Sequence, residues 1–523
     1  MSAPAWLDSA IFYEIYPQSF CDSNGDGIGD IPGIITKLDY IRDLGATAIW
    51  LNPCFLSPFA DAGYDVADYC RVAPRYGTNE DLIRLFREAH ARGLRVILDL
   101  VPGHTSIEHP WFRSSMAAEE NEYSKRYIWT DSIWESPEGM HCLRGISARD
   151  GSVAVNFFSS QPALNYGYAR PDPVKPWQDA MDAPGPLATR EAIQGVMRFW
   201  LDAGCDGFRV DMAGSLVKGE GGAEGTISLW QDFFDFLNRE YPEAAMVSEW
   251  GEPDKSLRAG FHMDFLLHFG PSHYNDLFRV DEPYFSRRGR GSLAAFWKAY
   301  ARSRAKAGTD GLICIPSGNH DMDRLARRLE GDDLALAFAF LLTMPGVPFI
   351  YYGDEIGQKE VEGLISVEGG YGRTGARSPM HWDRTQANAG FSAAASDALY
   401  IAMDSSPDHP DVASQEGMPS SLLNTVRALC ALRKSVPALG NRGEFKLISG
   451  GGYPLVYLRG AGPERVLVAI NPSEKQFTCK VPPLTGAATL WAYGGTSSLS
   501  RRTLTIPGRS AVVIQAPSST VFR

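Results

Sequence analysis

The feature that most constrains this chain is an alternation of short apolar runs with amphipathic stretches, carried from residue 10 to residue 357 with one long break. The runs are AIFYEIYPQSF (10–20), ATAIWLNPCF (46–55), RVILDLVPGH (95–104), a fourth over 205–213, AAMVSEWG (244–251), HMDFLLHFG (262–270), GLICIPSGNHD (311–321) and VPFIYYGDEIG (347–357). Most are close to continuously apolar, the pattern of a strand buried on both faces of a parallel sheet. Between them lie helical patterns at 189–203, 226–240, 292–307 and 333–343. NEDLIRLFREAHARG is another, with Leu82, Ile83, Leu85 and Phe86 expected on one side and Gly93 closing it. Eight such strands close a (β/α)8 TIM barrel, an α/β fold.

From Thr105 to Pro186 the alternation fails. Trp, Tyr, Gly and Pro are dense and no helical period persists, which reads as a long excursion of the kind that carries function. After a helix near 419–435 the texture changes to YPLVYL, RVLVAIN, FTCKV and SAVVIQA, a small antiparallel module. The expected plan is a barrel begun over 1–104, an inserted domain over 105–186, the barrel resumed over 187–435, and a C-terminal β-sandwich over 436–523.

A net charge of −12 and a pI near 5.4 argue against nucleic acid or an anionic membrane as partner and suit a small neutral or cationic substrate. The eight cysteines are scattered with no CxxC pair, so free thiols in a reducing compartment are expected. The N-terminus lacks a basic segment followed by an apolar one, and no apolar run reaches eighteen residues. A cytoplasmic protein follows.

The chemistry centres on CDGFRVDMAG (205–214). Arg209 and Asp211 stand two apart, so on a strand they share a face. The guanidinium is expected to lower the pKa of Asp211 and keep it ionised, as a nucleophile for covalent sugar chemistry must be. A structural salt bridge is the plainer alternative. Polar groups recur at the ends of the other strands: Asp99 and His104, Glu249, then Asn319, His320 and Asp321. Buried carboxylates are expensive unless paired, so a shared active site at the C-terminal face of the barrel explains them better than stability does.

DLVPGH, GFRVD, SEWG and NHD, in that order, resemble the four conserved regions of the α-amylase superfamily, family 13 of the glycoside hydrolases. The resemblance spans nearly the whole chain. It implies Asp211 as nucleophile, Glu249 as general acid/base, with Trp250 helping to raise its pKa, and Asp321 as the third carboxylate. Arg209 would keep Asp211 ionised, and His104 and His320 would bind sugar hydroxyls, unless they are structural histidines. A retaining glycosidase needs such a carboxyl pair about 5–5.5 Å apart.

SQPALNY (160–166), ARSPMHWD (376–383) and FADAGYDVADY (59–69) resemble segments of the family's exo-acting oligo-1,6-glucosidase and α-glucosidase branch. They imply that Asp61 and Tyr64 close the non-reducing end of the pocket, with Arg377 as a further pocket residue; solvated loop charges are the alternative for Asp61 and Arg377. Phe157 lines the acceptor side or belongs to the core. The loop DSNGDGIGD offers Asp22, Asn24, Asp26, Asp30 and the Ile28 carbonyl as hard oxygen ligands, and it resembles that branch's structural Ca2+ loop. Gly33 stands where an EF-hand has its glutamate, and a cation-free loop of Asx turns is the alternative. Three positions depart from the family: Gly103 stands for an Asn, Ala163 for an Asp, and Met212 follows the nucleophile where smaller residues are usual. The function implied is a retaining α-glucosidase acting on a small oligosaccharide or disaccharide. The alternatives are a transglucosylase or isomerase using the same nucleophile and, remotely, a non-catalytic family-13-like subunit.

Overall fold

The computed structural model describes residues 3–517 apart from 138, 290–291, 309–310, 485–486 and 501. The ends of the first and last expected domains, residues 1–2 and 518–523, lie outside the described residues. The eight expected strands are all present: β1 (Phe12–Ile15), β2 (Ala48–Leu51), β3 (Arg95–Leu100), β4 (Gly207–Val210), β5 (Ala245–Ser248), β6 (Met263–Phe265), β7 (Leu312–Pro316) and β8 (Pro348–Tyr351). Each pairs in parallel with its sequence neighbours, and β8 returns to β1 to close the barrel. Apart from Arg95 at the start of β3, every residue in them is buried, so the unbroken apolar runs are explained by side chains facing either the barrel interior or the surrounding helices.

Around the strands pack α1 (Asn79–Ala91), α2 (Pro184–Asp202), α3 (Glu224–Glu240), α4 (Ala294–Ala307), α5 (Asp332–Thr343) and α6 (Leu422–Ser435). Thr78 and Asp81 form a reciprocal capping box that starts α1, and Gly93 (φ +73°) follows its end. Leu82, Leu85, Phe86 and Ala89 are its buried stripe; Ile83, expected with them, is 43% exposed because it falls on the outer side of that stripe. Helix α2 begins at Pro184, five residues before its apolar period shows, since proline suits the first helical turn. The expected run over 262–270 yields only the three residues of β6.

The excursion leaves after β3. It holds a short helix (Pro110–Ser115) and an antiparallel pair, His141–Arg144 with Ser152–Val155. It is laced back to the barrel by bridges between His104 and Ala163 and between Tyr168 and Lys218. The C-terminal module has strands β9 (Glu444–Ser449), β10 (Leu455–Ala461), β11 (Glu464–Asn471), β12 (Phe477–Lys480), β13 (Thr489–Tyr493), β14 (Ser498–Ser500), β15 (Thr503–Ile506) and β16 (Ser510–Ala516). They form sheets of order 9-10-11-16-13 and 12-15-14 around a core of Val456, Leu458, Leu467, Leu504, Ile506 and Val512.

Two buried arginines tie down this end of the barrel, one from the barrel's own last helix and one from the module. Arg433 of α6 donates to the carbonyls of Leu342, Met344 and Gly346 at 2.7–2.8 Å. Arg459 of β10 donates to the carbonyls of Thr343 and Gly440. The orphan carbonyls at the end of α5 and the turn into β8 are thereby satisfied at the N-terminal face of the barrel, opposite Asp211, Glu249 and Asp321.

Candidate active site

The register of the barrel assembles the site. Asp99 of β3 lies directly beside Arg209 of β4, and Arg209 beside Val247 of β5, one pair before Ser248 and Glu249. Arg209 therefore meets carboxylates from three strands. Its Nη1 donates to Asp99 Oδ1 at 2.7 Å and Asp211 Oδ1 at 2.9 Å, and its Nη2 lies 2.7 Å from Glu249 Oε2 as an ion pair. Neighbouring nitrogens of one guanidinium hold Asp211 and Glu249 close together. Fixing them further, Met212 takes a left-handed backbone (φ 43°, ψ 44°) that costs a non-glycine residue about 1–3 kcal/mol, and its N–H points at Glu249 Oε2, 3.3 Å away.

One cation cannot keep three buried carboxylates ionised. Burial pushes Asp211 up to about 7, against the pull of Arg209. The expectation that the arginine would hold Asp211 below its ordinary value is thus corrected: desolvation outweighs the ion pair. Burial pushes Glu249 further, to about 8, with the charges of Asp211 and Asp321 adding to it. Glu249 keeps its proton longest, the order a nucleophile and acid catalyst require. The indole nitrogen of Trp250 lies 2.6 Å from where a Cβ on Gly214 would stand.

Asp321 behaves oppositely. Burial would raise it, but His320 and the guanidinium groups of Arg377 and Arg373 hold it well below the usual carboxylate range. Arg373 Nη1 lies 2.5 Å and Arg377 Nη2 2.9 Å from Asp321 Oδ1, and Arg373 reaches Asp61 Oδ1 at 3.9 Å. Asp61 accepts from Gln161 Nε2 at 2.7 Å, and burial raises it to about 6. Tyr64 and His320 stack with ring centroids 5.3 Å apart, and Tyr64 Oη also meets Asp99 Oδ2 at 3.0 Å.

These groups open on a cavity of about 240 Å³. Asp211, Glu249, Asp321, Asp61, Tyr64 and Arg377 line it, as do His104 and the half-exposed Phe157. Arg209 and His320 stand one layer behind the lining. His320 is wholly buried, its Nδ1 facing Glu14 Oε1 at 3.0 Å and its Nε2 facing Tyr64 Oη at 2.7 Å. Burial depresses His320 to about 3 and His104 to about 4, so both are neutral at ordinary pH. Sequence reasoning passed over Arg373, Gln161, Phe158, His268, Phe269 and the supporting Glu14. None of these carried a signal: Arg373 lies in an irregular segment, and Glu14 is a single polar residue in an apolar strand.

The departures have local consequences. Gly103 leaves room for Asn156, whose Nδ2 would lie 2.9 Å from a Cβ there and instead bonds the Gly103 carbonyl and faces His104 Nδ1. Ala163 is buried in the core of the excursion.

The residues proposed for a cation lie on the loop after β1. Asp22 Oδ1 accepts the N–H groups of Asn24 and Gly25, Asn24 Oδ1 that of Asp26, and Asp26 Oδ1 that of Ile28, three successive Asx turns. Asp30 caps the following short helix through the Gly33 N–H at 2.6 Å. Among the described residues no three His, Cys, Asp or Glu side chains form a metal-binding group. A cation here would therefore rest on Asn24 and the Ile28 carbonyl as well as the carboxylates, an all-oxygen set suited to a hard ion.

Residues 14–441 match the family model described as alpha amylase, catalytic domain. The chain belongs to the alpha-amylase family. Within that family it is 32% identical to a probable alpha-glucosidase of Rhizobium meliloti, over 91% of each chain. It is 30% identical to the oligo-1,6-glucosidase of Heyndrickxia coagulans, over 95% of this chain and 98% of that one. The crystal structure of the trehalulose synthase MutB from Pseudomonas mesoacidophila MX-45 superposes with a TM-score of 0.82 at 26% identity, covering 98% of this chain and all of that one. Like other members of the alpha-amylase family, this chain is a glycoside hydrolase with a barrel, an excursion after the third strand and a terminal β module.

Proposed function

We propose that the protein is a retaining α-glucosidase that removes glucose from the non-reducing end of short α-glucosides. The arrangement that carries this reading is Arg209 gripping Asp211 and Glu249 at once, beside a cavity end closed by Asp61, Arg373 and Asp321. A closed polar end fits a terminal sugar ring, with Tyr64 as its stacking platform and His104, Asp321 and Arg377 meeting its hydroxyls. Glu249, protonated, gives its proton to the glycosidic oxygen while Asp211 attacks the anomeric carbon and forms a covalent glucosyl ester. Water then enters, Glu249 as carboxylate takes its proton, and the ester opens with retention of configuration. The ionised Asp321 stabilises the positive charge that develops on the ring in both steps.

The likeness to the trehalulose synthase, and 31% identity to the trehalose synthase/amylase TreS of Mycolicibacterium smegmatis, favour a second reading in which a sugar intercepts the intermediate. A product profile by NMR with maltose, isomaltose, trehalose and sucrose separates the two. α-Glucose as first product from one linkage supports the hydrolase and names its preference. New disaccharides without matching glucose refute it in favour of the isomerase, and no turnover of any substrate refutes both. A non-catalytic subunit is disfavoured by the intact carboxylate set, and among the described residues no helix is long and apolar enough to cross a membrane.

The proposal extends to Ca2+ on the Asp22–Asp30 loop. Exhaustive chelation is expected to lower Tm, since a ligand bound only to the native state stabilises it, and an unchanged transition removes calcium from the account. The eight free cysteines support a cytoplasmic location, which fractionation of the native host tests.

A further inference from the structure

A second cavity lies at the N-terminal face of the barrel, the end away from Asp211, Glu249 and Asp321. It occupies about 190 Å³ where α4, the turn into β8 and the segment entering β9 meet. Tyr300 and Arg304 of α4 line it, with Asn441, Arg442 and Glu444. Arg433 and Arg459 stand behind that lining. Arg433 donates to the Gly346 carbonyl and Asn441 Oδ1, and Arg459 to the Glu444 carbonyl, all on residues of the cavity wall. Burial raises the Tyr300 hydroxyl while Arg304, Arg459 and Arg433 all pull it back, so three guanidinium groups face one phenol.

This gathering of positive charge stands in a chain whose net charge is −12. Among the described residues Arg433 and Arg459 have only carbonyl and amide oxygens as acceptors, and Arg304 has no carboxylate partner. Of the acids close by, Asp8 pairs with Arg442, and Glu444 turns to Arg465 Nη2 at 3.4 Å. Burial pulls Arg433 down to about 10 and Arg459 to about 9, and the charges of Arg433 and Arg304 deepen the fall at Arg459. Such a fall marks buried cations short of a counter-charge.

We propose that this cavity binds a phosphate group, carried on a small phosphomonoester or free as inorganic phosphate. Guanidinium groups present paired N–H donors that match phosphate oxygens. Arg304 and Arg442 line the space and donate directly. Arg433 and Arg459, whose donors already hold main-chain oxygens, act through their charge. A doubly charged anion supplies what these cations lack, whereas a neutral ligand would leave them unbalanced. The volume equals about six waters' worth of liquid, room for a phosphate and a short organic group. Seated there, the anion touches α4 and the segment entering β9 at once and so clamps the terminal module to the barrel.

The test titrates the intact protein by calorimetry with inorganic phosphate and, separately, with glycerol 3-phosphate, against sodium chloride at matched ionic strength. One saturable site is expected, with a Tm that climbs as it fills, since the anion binds the native state. Arg304→Gln is expected to weaken binding about tenfold, the loss of a charge-assisted contact. Arg304→Lys, which keeps the charge without the fork, should fall between the two. Tighter binding of glycerol 3-phosphate assigns the site to phosphomonoesters, and equal or weaker binding assigns it to the free ion. Heat that never saturates, or that chloride reproduces, overturns the proposal. Saturable binding of unchanged affinity in Arg304→Gln also overturns it, because the anion then sits elsewhere. None of these outcomes depends on which glucoside the enzyme cleaves.

Discussion

Removing the positive charge of Arg209 is the sharpest perturbation the site offers. Arg209→Met keeps much of the volume but leaves Asp99, Asp211 and Glu249 without their shared cation. A unit charge at about 4 Å and an effective dielectric near 20 is worth about 4 kcal/mol, or about three pKa units. Rearrangement and water entry return part of that, so the pKa of Asp211, now about 7, is expected to rise by about two units. A nucleophile must be ionised, so activity climbs with pH through that pKa, and a higher pKa moves the acid limb to more alkaline pH. At pH 7 the ionised fraction falls from about a half to about a hundredth, so the loss in kcat/KM is then about fiftyfold, recovering as pH rises. The assay is kcat/KM against pH with α-glucosyl fluoride, whose leaving group needs no proton and so isolates Asp211 from Glu249. Breaking a buried ion network also costs about 3–5 kcal/mol of stability, so Tm is followed in parallel. Arg209→Lys, which restores one positive charge but not the three-way grip, should bring back part of the shift. An acid limb that stays in place while the rate falls equally at every pH would refute the electrostatic role and leave Arg209 a structural strut.

Asp211→Asn is expected to retain the fold and abolish turnover; more than about a hundredth of the wild-type rate would sink the nucleophile assignment. Glu249→Gln should raise Tm at pH 8 and progressively less toward pH 5. The buried acid, with its pKa raised to about 8, favours its neutral form in the native state, so it destabilises as pH rises above its unfolded value. A Tm difference independent of pH would contradict that burial. Gly207→Ala should yield no folded protein, because a Cβ there would meet the Ala245 carbonyl at 1.9 Å, backbone against backbone, at φ +142°; a soluble variant with native circular dichroism would show that β4 and β5 can separate.

The barrel was legible because burial on both faces leaves an unbroken apolar run, a signal that survives without partners. The carboxylates at strand ends were legible for the converse reason: Asp211, Glu249 and Asp321 interrupt apolar text where only a function repays the cost. Arg373 was not, since it reaches Asp321 from an irregular segment 52 positions away and loops carry no period. Glu14 was not, because one polar residue in an apolar strand announces nothing until His320 is seen against it. The direction of the Asp211 shift escaped for a quantitative reason. The neighbouring arginine is visible in GFRVD, whereas the depth of burial, and the two other carboxylates sharing that arginine, are properties of the closed barrel. Ile83 shows the same limit on a helix, where one residue of rotation separates core from solvent.

The carbonyl-bound arginines at the N-terminal rim bear on how such a chain can change over time. Arg433 holds the end of α5 and the turn into β8 from within the barrel, and Arg459 reaches the Thr343 carbonyl from the terminal β module, so that module works as a lid soldered to the floor of the barrel. The rim that performs chemistry is thereby relieved of keeping the cylinder shut. Loops there can lengthen, exchange aromatic for polar walls or trade one acceptor for another while the far end stays sealed, and a chain cut after α6 would lose its floor before it lost its catalyst.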